Sequence, residues 1–135
     1  MNKIPEGPWS WYGNLKTNHI YLATERGGRT YVMDFARFGM RDAQPRFNTD
    51  KGMVKAQDLC RFEVGDPDVI GYQAAKEDDS VYRYDISEID HPVARLIAAA
   101  PDLLAALLEA ENGSPEMAER LRKAALEKVL GNDQR

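Results

Sequence analysis

At Asp90 the spacing of the apolar residues changes, and this change constrains the fold more than any other feature of the sequence. Upstream, short β-branched and aromatic runs are separated by glycine, asparagine and aspartate, as in strands joined by turns. Downstream, apolar residues recur at helical spacing from Val93 to Leu108. The sequence therefore predicts an α+β protein, with a β-rich part over residues 1–88 and a helical part over residues 89–135.

The β-rich part contains a clear hairpin pattern. Thr17–Thr24 and Arg29–Phe35 are rich in strand-forming residues, and the turn-forming segment Glu25–Gly28 separates them. Strict alternation would place Tyr31 on the face opposite to Asp34. Because more such runs follow, we expect an antiparallel sheet over about residues 9–86. Further strand candidates are Trp9–Tyr12, Val69–Tyr72 and Val81–Ile86.

The helical part predicts two helices. The first covers about residues 90–110, and we expect a kink or a break at Pro101, because proline lacks an amide donor and clashes with the preceding turn. The second covers about residues 115–130, after the capping residue Ser114. Its apolar side is thin, so we expect these C-terminal helices to hold a homo-oligomer together and to pack on the sheet.

Length and composition limit the kind of protein. A chain of 135 residues is most simply a single domain, 1–135. It has no signal-peptide pattern at its start and no apolar run long enough to cross a membrane, so we expect a cytoplasmic protein without a membrane partner. Residues 1–61 carry ten Lys or Arg and six Asp or Glu, an excess too small for the many phosphate contacts of a duplex-DNA-binding protein.

Motifs for catalysis are missing from the sequence. It has no phosphate-binding Gly-x-x-x-x-Gly-Lys-Ser/Thr loop, no Gly-x-Ser-x-Gly turn and no His-Glu-x-x-His pair. The two histidines fit structural roles, His19 at a strand edge and His91 on the surface or as a cap at the helix start. We therefore expect a protein that is not an enzyme, with no catalytic residues, no metal and no cofactor; a small hydrolase is a weaker alternative.

Residues 29–47 interleave four arginines with aromatic residues. Arginine forks suit phosphate or carboxylate, and aromatic faces can stack on bases, so this run predicts a site for a small phosphorylated ligand. The open alternative is that the aromatics are core and the arginines surface residues. The expected ligand-binding residues are Arg37, Arg41 and Arg46 for phosphate, Trp11 and Phe38 for base stacking, and Asn14 and Asp34 for polar contacts.

Arg95 is a further candidate for ligand binding. It lies in the first turns of the predicted helix, where a cation gains nothing from the helix dipole. We expect an anionic partner for it, which could be a carboxylate such as Asp90 or Asp34, or a ligand phosphate.

The segment His91–Leu107 contains Ala-Arg-Leu-Ile-Ala-Ala-Ala-Pro-Asp-Leu-Leu. This helical module resembles one at the C-terminal end of many small phage and prophage proteins. The segments Gly7–Thr24 and Tyr31–Phe47 are similar to the front of a family of uncharacterised phage accessory proteins. Residues 111–135 fall outside the resemblance.

The resemblance implies a class of function and no catalytic residues. Small phage accessory proteins often counter host defence. Some are oligomeric sponges that sequester a nucleotide immune signal, which is the sharpest version of our hypothesis for this chain. The alternative is a protein inhibitor that, like anti-CRISPR proteins, binds a host defence effector and takes no small ligand.

Overall fold

A computed structural model of the chain describes residues 3–36, 43–62, 77 and 86–131. The predicted α+β class is confirmed, because these residues form a five-stranded antiparallel sheet and two C-terminal helices that pack together. The elements are strands β1 (Trp9–Asn14), β2 (His19–Thr24), β3 (Tyr31–Ala36), β4 (Gln44–Thr49), β5 (Gly52–Lys55), β6 (Cys60–Phe62) and β7 (Ile86–Ile89), a 3-10 turn (Ala56–Asp58), and helices α1 (Pro92–Asn112) and α2 (Pro115–Leu130).

The five-stranded sheet follows the order of the sequence, β1-β2-β3-β4-β5, and each neighbouring pair is antiparallel. The predicted hairpin is β2 and β3, joined through Gly27 and Gly28, which both take positive φ angles that favour glycine. The hydroxyl of Thr24 closes this loop by donating to the Gly28 carbonyl at 2.9 Å. Strands β6 and β7 form a separate two-stranded pairing.

Strand β4 corrects the expected place of Pro45. The sequence pattern favours loops and short strands from residue 36 to 55, and the short strands β4 and β5 do form, but Pro45 lies within β4 and not in a turn. Pro45 is the second residue of β4, near the strand start where a missing amide is best tolerated. The strand candidates Val69–Tyr72 and Val81–Ile86 lie outside the described residues, apart from Ile86, which begins β7.

One face of the sheet supplies the core of the β-rich unit. Leu22, Met33 and Phe47 are successive cross-strand neighbours and are all buried. His91 stacks on Phe47 with ring centroids 5.1 Å apart, and its Nε2 lies 2.7 Å from the Asn48 carbonyl oxygen. His91 is 1% exposed, so the expected surface or capping role was wrong. Its partners Phe47 and Asn48 are more than forty residues away in the sequence, so the residues around His91 do not predict its burial.

Residues 92–135 form a second compact unit, separate from the unit of residues 1–91. Helix α1 is one helix with Pro101 in its interior, so the two short helices allowed for at this position do not form. Small side chains, Ala99, Ala106 and Ala125, are buried, and the two helices pack closely along them. Ser114 caps α2 as predicted, because its hydroxyl accepts a hydrogen bond from the Met117 amide at 3.1 Å.

Much of the apolar stripe of α1 remains exposed. Leu104 and Leu107 are 57% and 69% exposed, and Ile97 and Leu108 are also exposed. These side chains lie on a different face of α1 from Ala99 and Ala106. Within the described ranges, neither helix combines the length and apolarity that crossing a membrane requires.

Candidate ligand-binding face of the sheet

A row of polar and aromatic side chains crosses the sheet on the face opposite to the core. In each antiparallel pair, directly opposed residues point to the same side, so one register position on all five strands defines one face. This row consists of Tyr12, Tyr21, Asp34, Arg46 and Lys55. We call this side of the sheet the tyrosine face.

A β-bulge adds Tyr31 to the tyrosine face. Leu22 is opposite Met33, but the next residue, Ala23, is opposite Tyr31, so β3 has one extra residue at Val32. An extra residue reverses the alternation beyond it, and Tyr31 therefore shares a face with Tyr21 and Asp34. The expectation from strict alternation, which put Tyr31 on the other side from Asp34, was wrong for this reason.

The aromatic rings on this face form a stack. Tyr21 and Tyr31 have ring centroids 4.2 Å apart and an interplanar angle of 5°, and Tyr12 lies 5.7 Å from Tyr21 on the adjacent strand. The His19 ring lies 5.2 Å from Tyr21, and its Nε2 is 3.3 Å from the Tyr31 hydroxyl. Each such aromatic pair contributes about 0.5–1.5 kcal/mol beyond its buried area, so the stack is held in place before any ligand binds.

Arg29 lies over this stack. Its guanidinium carbon is 3.9 Å from the centre of the Tyr12 ring, and its Nη1 donates to the Tyr21 hydroxyl at 3.2 Å. The hydrogen bond to Tyr21 raises the pKa of Arg29, and an arginine side chain is charged at every physiological pH. In the part of the chain that the structure describes, no carboxylate lies within ion-pair distance of Arg29. Its remaining N–H donors are thus oriented by aromatic contacts and not by a counter-ion.

Two predicted site residues, Asp34 and Arg46, meet on the tyrosine face. Arg46 donates from Nε and Nη2 to the two carboxylate oxygens of Asp34, at 2.7 and 2.5 Å. Asp34 is 1% exposed, whereas about a third of the Arg46 side chain is accessible. The hydrogen bonds to Asp34 raise the pKa of Arg46. This pair fixes Arg46 beside Tyr31 and leaves part of its guanidinium accessible to an anion.

Trp11 and Asn14 lie elsewhere. Trp11 is opposite Leu22, on the core-side face of the sheet, and is 59% exposed. It borders a shallow groove of about 380 Å³, which also includes Gly13, Asn14, Leu15 and Ile20. The side-chain oxygen of Asn14 accepts from the amides of Lys16 and Thr17, so it shapes the β1–β2 turn. A small ligand on the tyrosine face therefore cannot also stack on Trp11.

Four further residues were predicted for the ligand site. Arg37, Phe38 and Arg41 lie outside the described residues. Arg95 belongs to the helical unit, where a Cβ added to Gly131 would come within 3.3 Å of its Nε, so Arg95 packs against the end of α2. Asp34, one of the carboxylates considered for it, accepts both hydrogen bonds of the Arg46 fork.

The sequence predictions missed the central residues of this face, Tyr12, Tyr21, Tyr31 and Arg29. Arg29 is the first residue of the arginine-aromatic run, so composition did mark its neighbourhood. What distinguishes Arg29 is its contact with Tyr12 and Tyr21, and these two tyrosines become neighbours only through the β1–β2 register. Across the described ranges, no group of three or more His, Cys, Asp or Glu could hold a metal ion.

The sheet and its tyrosine face together define an α+β protein with an aromatic and cationic surface on one side of a five-stranded meander. No protein-family model matches the sequence, and no curated protein or solved structure is detectably similar to it.

Proposed function

We propose that this chain is a non-enzymatic binding protein whose tyrosine face captures a phosphorylated nucleotide. The main support for this proposal is the environment of the Arg29 guanidinium. A guanidinium that is positioned by two tyrosines, without a carboxylate among the described residues, is a site for an anion. Phosphate, like carboxylate, fits its planar fork of donors.

The rest of the tyrosine face supports the same class of ligand. Arg46 and Lys55 follow in the same row, so the face carries three cations and one buried carboxylate, Asp34. The rings of Tyr12 and Tyr21 are half-exposed beside Arg29, so their edges and hydroxyl groups offer contacts to the base of a nucleotide. The predicted contributions of Arg37, Phe38 and Arg41 remain predictions.

The biological role is proposed from the resemblance to phage accessory proteins. In this proposal, the protein is phage-encoded, acts in the cytoplasm of the host cell and removes a nucleotide immune signal by binding it. Such a sponge requires tight binding and no chemistry, which agrees with a face that presents cations and rings and with a sequence that lacks motifs for catalysis.

The test is a ligand panel with matched variants. Purified protein is mixed with cyclic di- and trinucleotides and ADP-ribose derivatives, and the melting temperature is measured, because a bound ligand stabilises the folded state. For a ligand that raises the melting temperature, we expect Arg29→Gln to weaken binding by about tenfold or more, because the variant loses a hydrogen bond from a charged group. The control is Arg26→Gln, an exposed arginine in the same hairpin loop, which should bind like the wild type.

Three outcomes would change the proposal. No stabilisation by any nucleotide in the panel would reject nucleotide binding for these compounds. If a nucleotide stabilises Arg29→Gln as much as the wild type, the ligand does not bind at the tyrosine face. Ligand that heat releases in cleaved form would instead favour the small hydrolase.

A protein inhibitor is the second candidate, and the exposed apolar stripe of α1 favours it. Ile97, Leu104, Leu107 and Leu108 together form the kind of patch that marks a protein contact. The same stripe could hold the homo-oligomer that we predicted through the C-terminal helices. Capture of one defined effector from host lysate by the wild type, with loss of capture in Leu107→Lys, would support the inhibitor.

A further inference from the structure

We propose that strand β1 is a dimerisation edge, where it pairs antiparallel with β1 of a second copy of this chain, with Tyr12 at the two-fold axis. This interface goes beyond the proposed ligand binding and does not depend on it. It is also distinct from the predicted oligomer through the helices.

Among the described residues, no strand pairs with the outer edge of β1. In the described part of the chain, β1 has one neighbour, β2, and its sequence Trp-Ser-Trp-Tyr-Gly-Asn contains no charged residue and no proline. Monomeric proteins usually protect such an edge with lysine, proline or a short strand. The opposite edge does so, because β5 has four residues and carries Lys55. The contrast indicates that β1 is the edge adapted to pairing.

The backbone register identifies which residues would pair. The Glu25 amide donates to the Pro8 carbonyl at 3.1 Å, and Trp9 is opposite Thr24 in the same register. Residues in an antiparallel pair alternate between bonded and non-bonded positions. The amides and carbonyls of Trp9, Trp11 and Gly13 therefore point to the open edge.

The groove beside Gly13 favours a second copy of this chain as the partner and one register of pairing. A two-fold axis at Tyr12 would place Trp11 of each copy opposite Gly13 of the other, and both are residues whose backbone groups point outward. Gly13 has no side chain, and a Cβ there would already meet the His19 carbonyl at 3.0 Å and Ile20 at 3.3 Å. The indole would lie over this glycine and fill the groove between Gly13 and Ile20, an arrangement known to stabilise strand glycines.

This arrangement is self-complementary. The strand that contains the groove also supplies, two residues away, the aromatic side chain that fills it, as a two-fold interface requires. Pairing would cover Trp11 and Ile20, which are 59% and 46% exposed. Each copy also brings Arg29 to the same face of the joined sheet. These like charges lie near the axis, because Arg29 contacts the Tyr12 ring, so they oppose pairing and salt weakens the repulsion.

The test is the mass of the full chain in solution over micromolar to millimolar concentrations, by analytical ultracentrifugation. We expect a dimer that Trp11→Lys weakens at least tenfold, without loss of the circular dichroism spectrum or melting temperature of the monomer, because Trp11 is largely exposed. Leu104→Lys, on the exposed stripe of α1, should leave the dimer intact. A monomer at all concentrations would overturn the proposal, and so would a dimer that Leu104→Lys abolishes and Trp11→Lys does not.

A disulfide tests the register. Opposed residues at a non-bonded antiparallel position have Cβ atoms about 4.5–5.5 Å apart, so two cysteines at the axis can reach each other. We expect Tyr12→Cys to form a disulfide-linked dimer under mild oxidation. Ser10→Cys, on the same strand but away from the axis, should not. Efficient cross-linking of Ser10→Cys with none for Tyr12→Cys would contradict the proposed axis.

Discussion

The buried carboxylate of Asp34 receives both hydrogen bonds of the Arg46 fork from the neighbouring strand, at 2.7 and 2.5 Å. We predict that Asp34→Asn lowers the free energy of unfolding by about 2 kcal/mol, because it leaves a partly buried guanidinium without its counter-charge; full burial would cost about 3–5 kcal/mol. Urea denaturation measures this difference. The control Glu119→Gln removes an exposed helix ion pair and should leave stability unchanged. An Asp34→Asn variant as stable as the wild type would contradict the prediction.

His91 should be a major contributor to the stability of the β-rich unit. Replacement by alanine removes its stacking on Phe47 and its hydrogen bond to the Asn48 carbonyl. We expect His91→Ala to cost about 2–4 kcal/mol in the free energy of unfolding, the range for cavities with a lost polar contact. His19→Ala, at a side chain that is 38% exposed, should cost clearly less. Equal losses for the two variants in urea denaturation would refute this difference.

Pro101 lies inside an uninterrupted helix, so its replacement should stabilise the chain. Proline leaves the carbonyl four residues earlier without an amide donor and is about 3 kcal/mol less favourable than alanine in a helix interior. We expect Pro101→Ala to raise the free energy of unfolding by about 1–3 kcal/mol. Pro115→Ala is the matched control, because proline at the start of α2 loses no helix hydrogen bond and the change should be near neutral. A lower stability of Pro101→Ala in thermal or urea unfolding would contradict the prediction.

Tyr31 should make stability depend on alkaline pH. Burial, followed by the charges of Tyr21 and Asp34, raises the pKa of its phenol above the ordinary value of 10.0. A raised pKa means that folding favours the neutral phenol, so this stabilisation is complete below the ordinary pKa and disappears as the pH rises through the folded-state pKa. We expect the free energy of unfolding to fall above about pH 10, and to fall less in Tyr31→Phe. Equal pH profiles for the two proteins, measured by urea denaturation, would contradict this.

The tyrosine face shows where sequence reasoning reaches its limit. Residue types in the segment 29–47 indicated cations and rings, and two of the candidates chosen from them, Asp34 and Arg46, lie together on the tyrosine face. The residues that hold Arg29, however, come from β1 and β2, and their meeting depends on the strand register. Tyr31 joins them only because of the bulge at Val32, and no local pattern in β3 announces the extra residue.

Local periodicity determined the fold class, the β2–β3 hairpin, the start of α2 and the division near residue 90. These properties depend on residues close in sequence, because the period of the apolar residues separates strand from helix, and turn and cap residues mark where each element ends. Tertiary structure alone decided that His91 is buried, that Trp11 and Arg46 face opposite sides of the sheet, and that the leucines of α1 remain exposed. Each of these depends on packing between residues far apart in the chain, whose free energy no single segment of sequence contains.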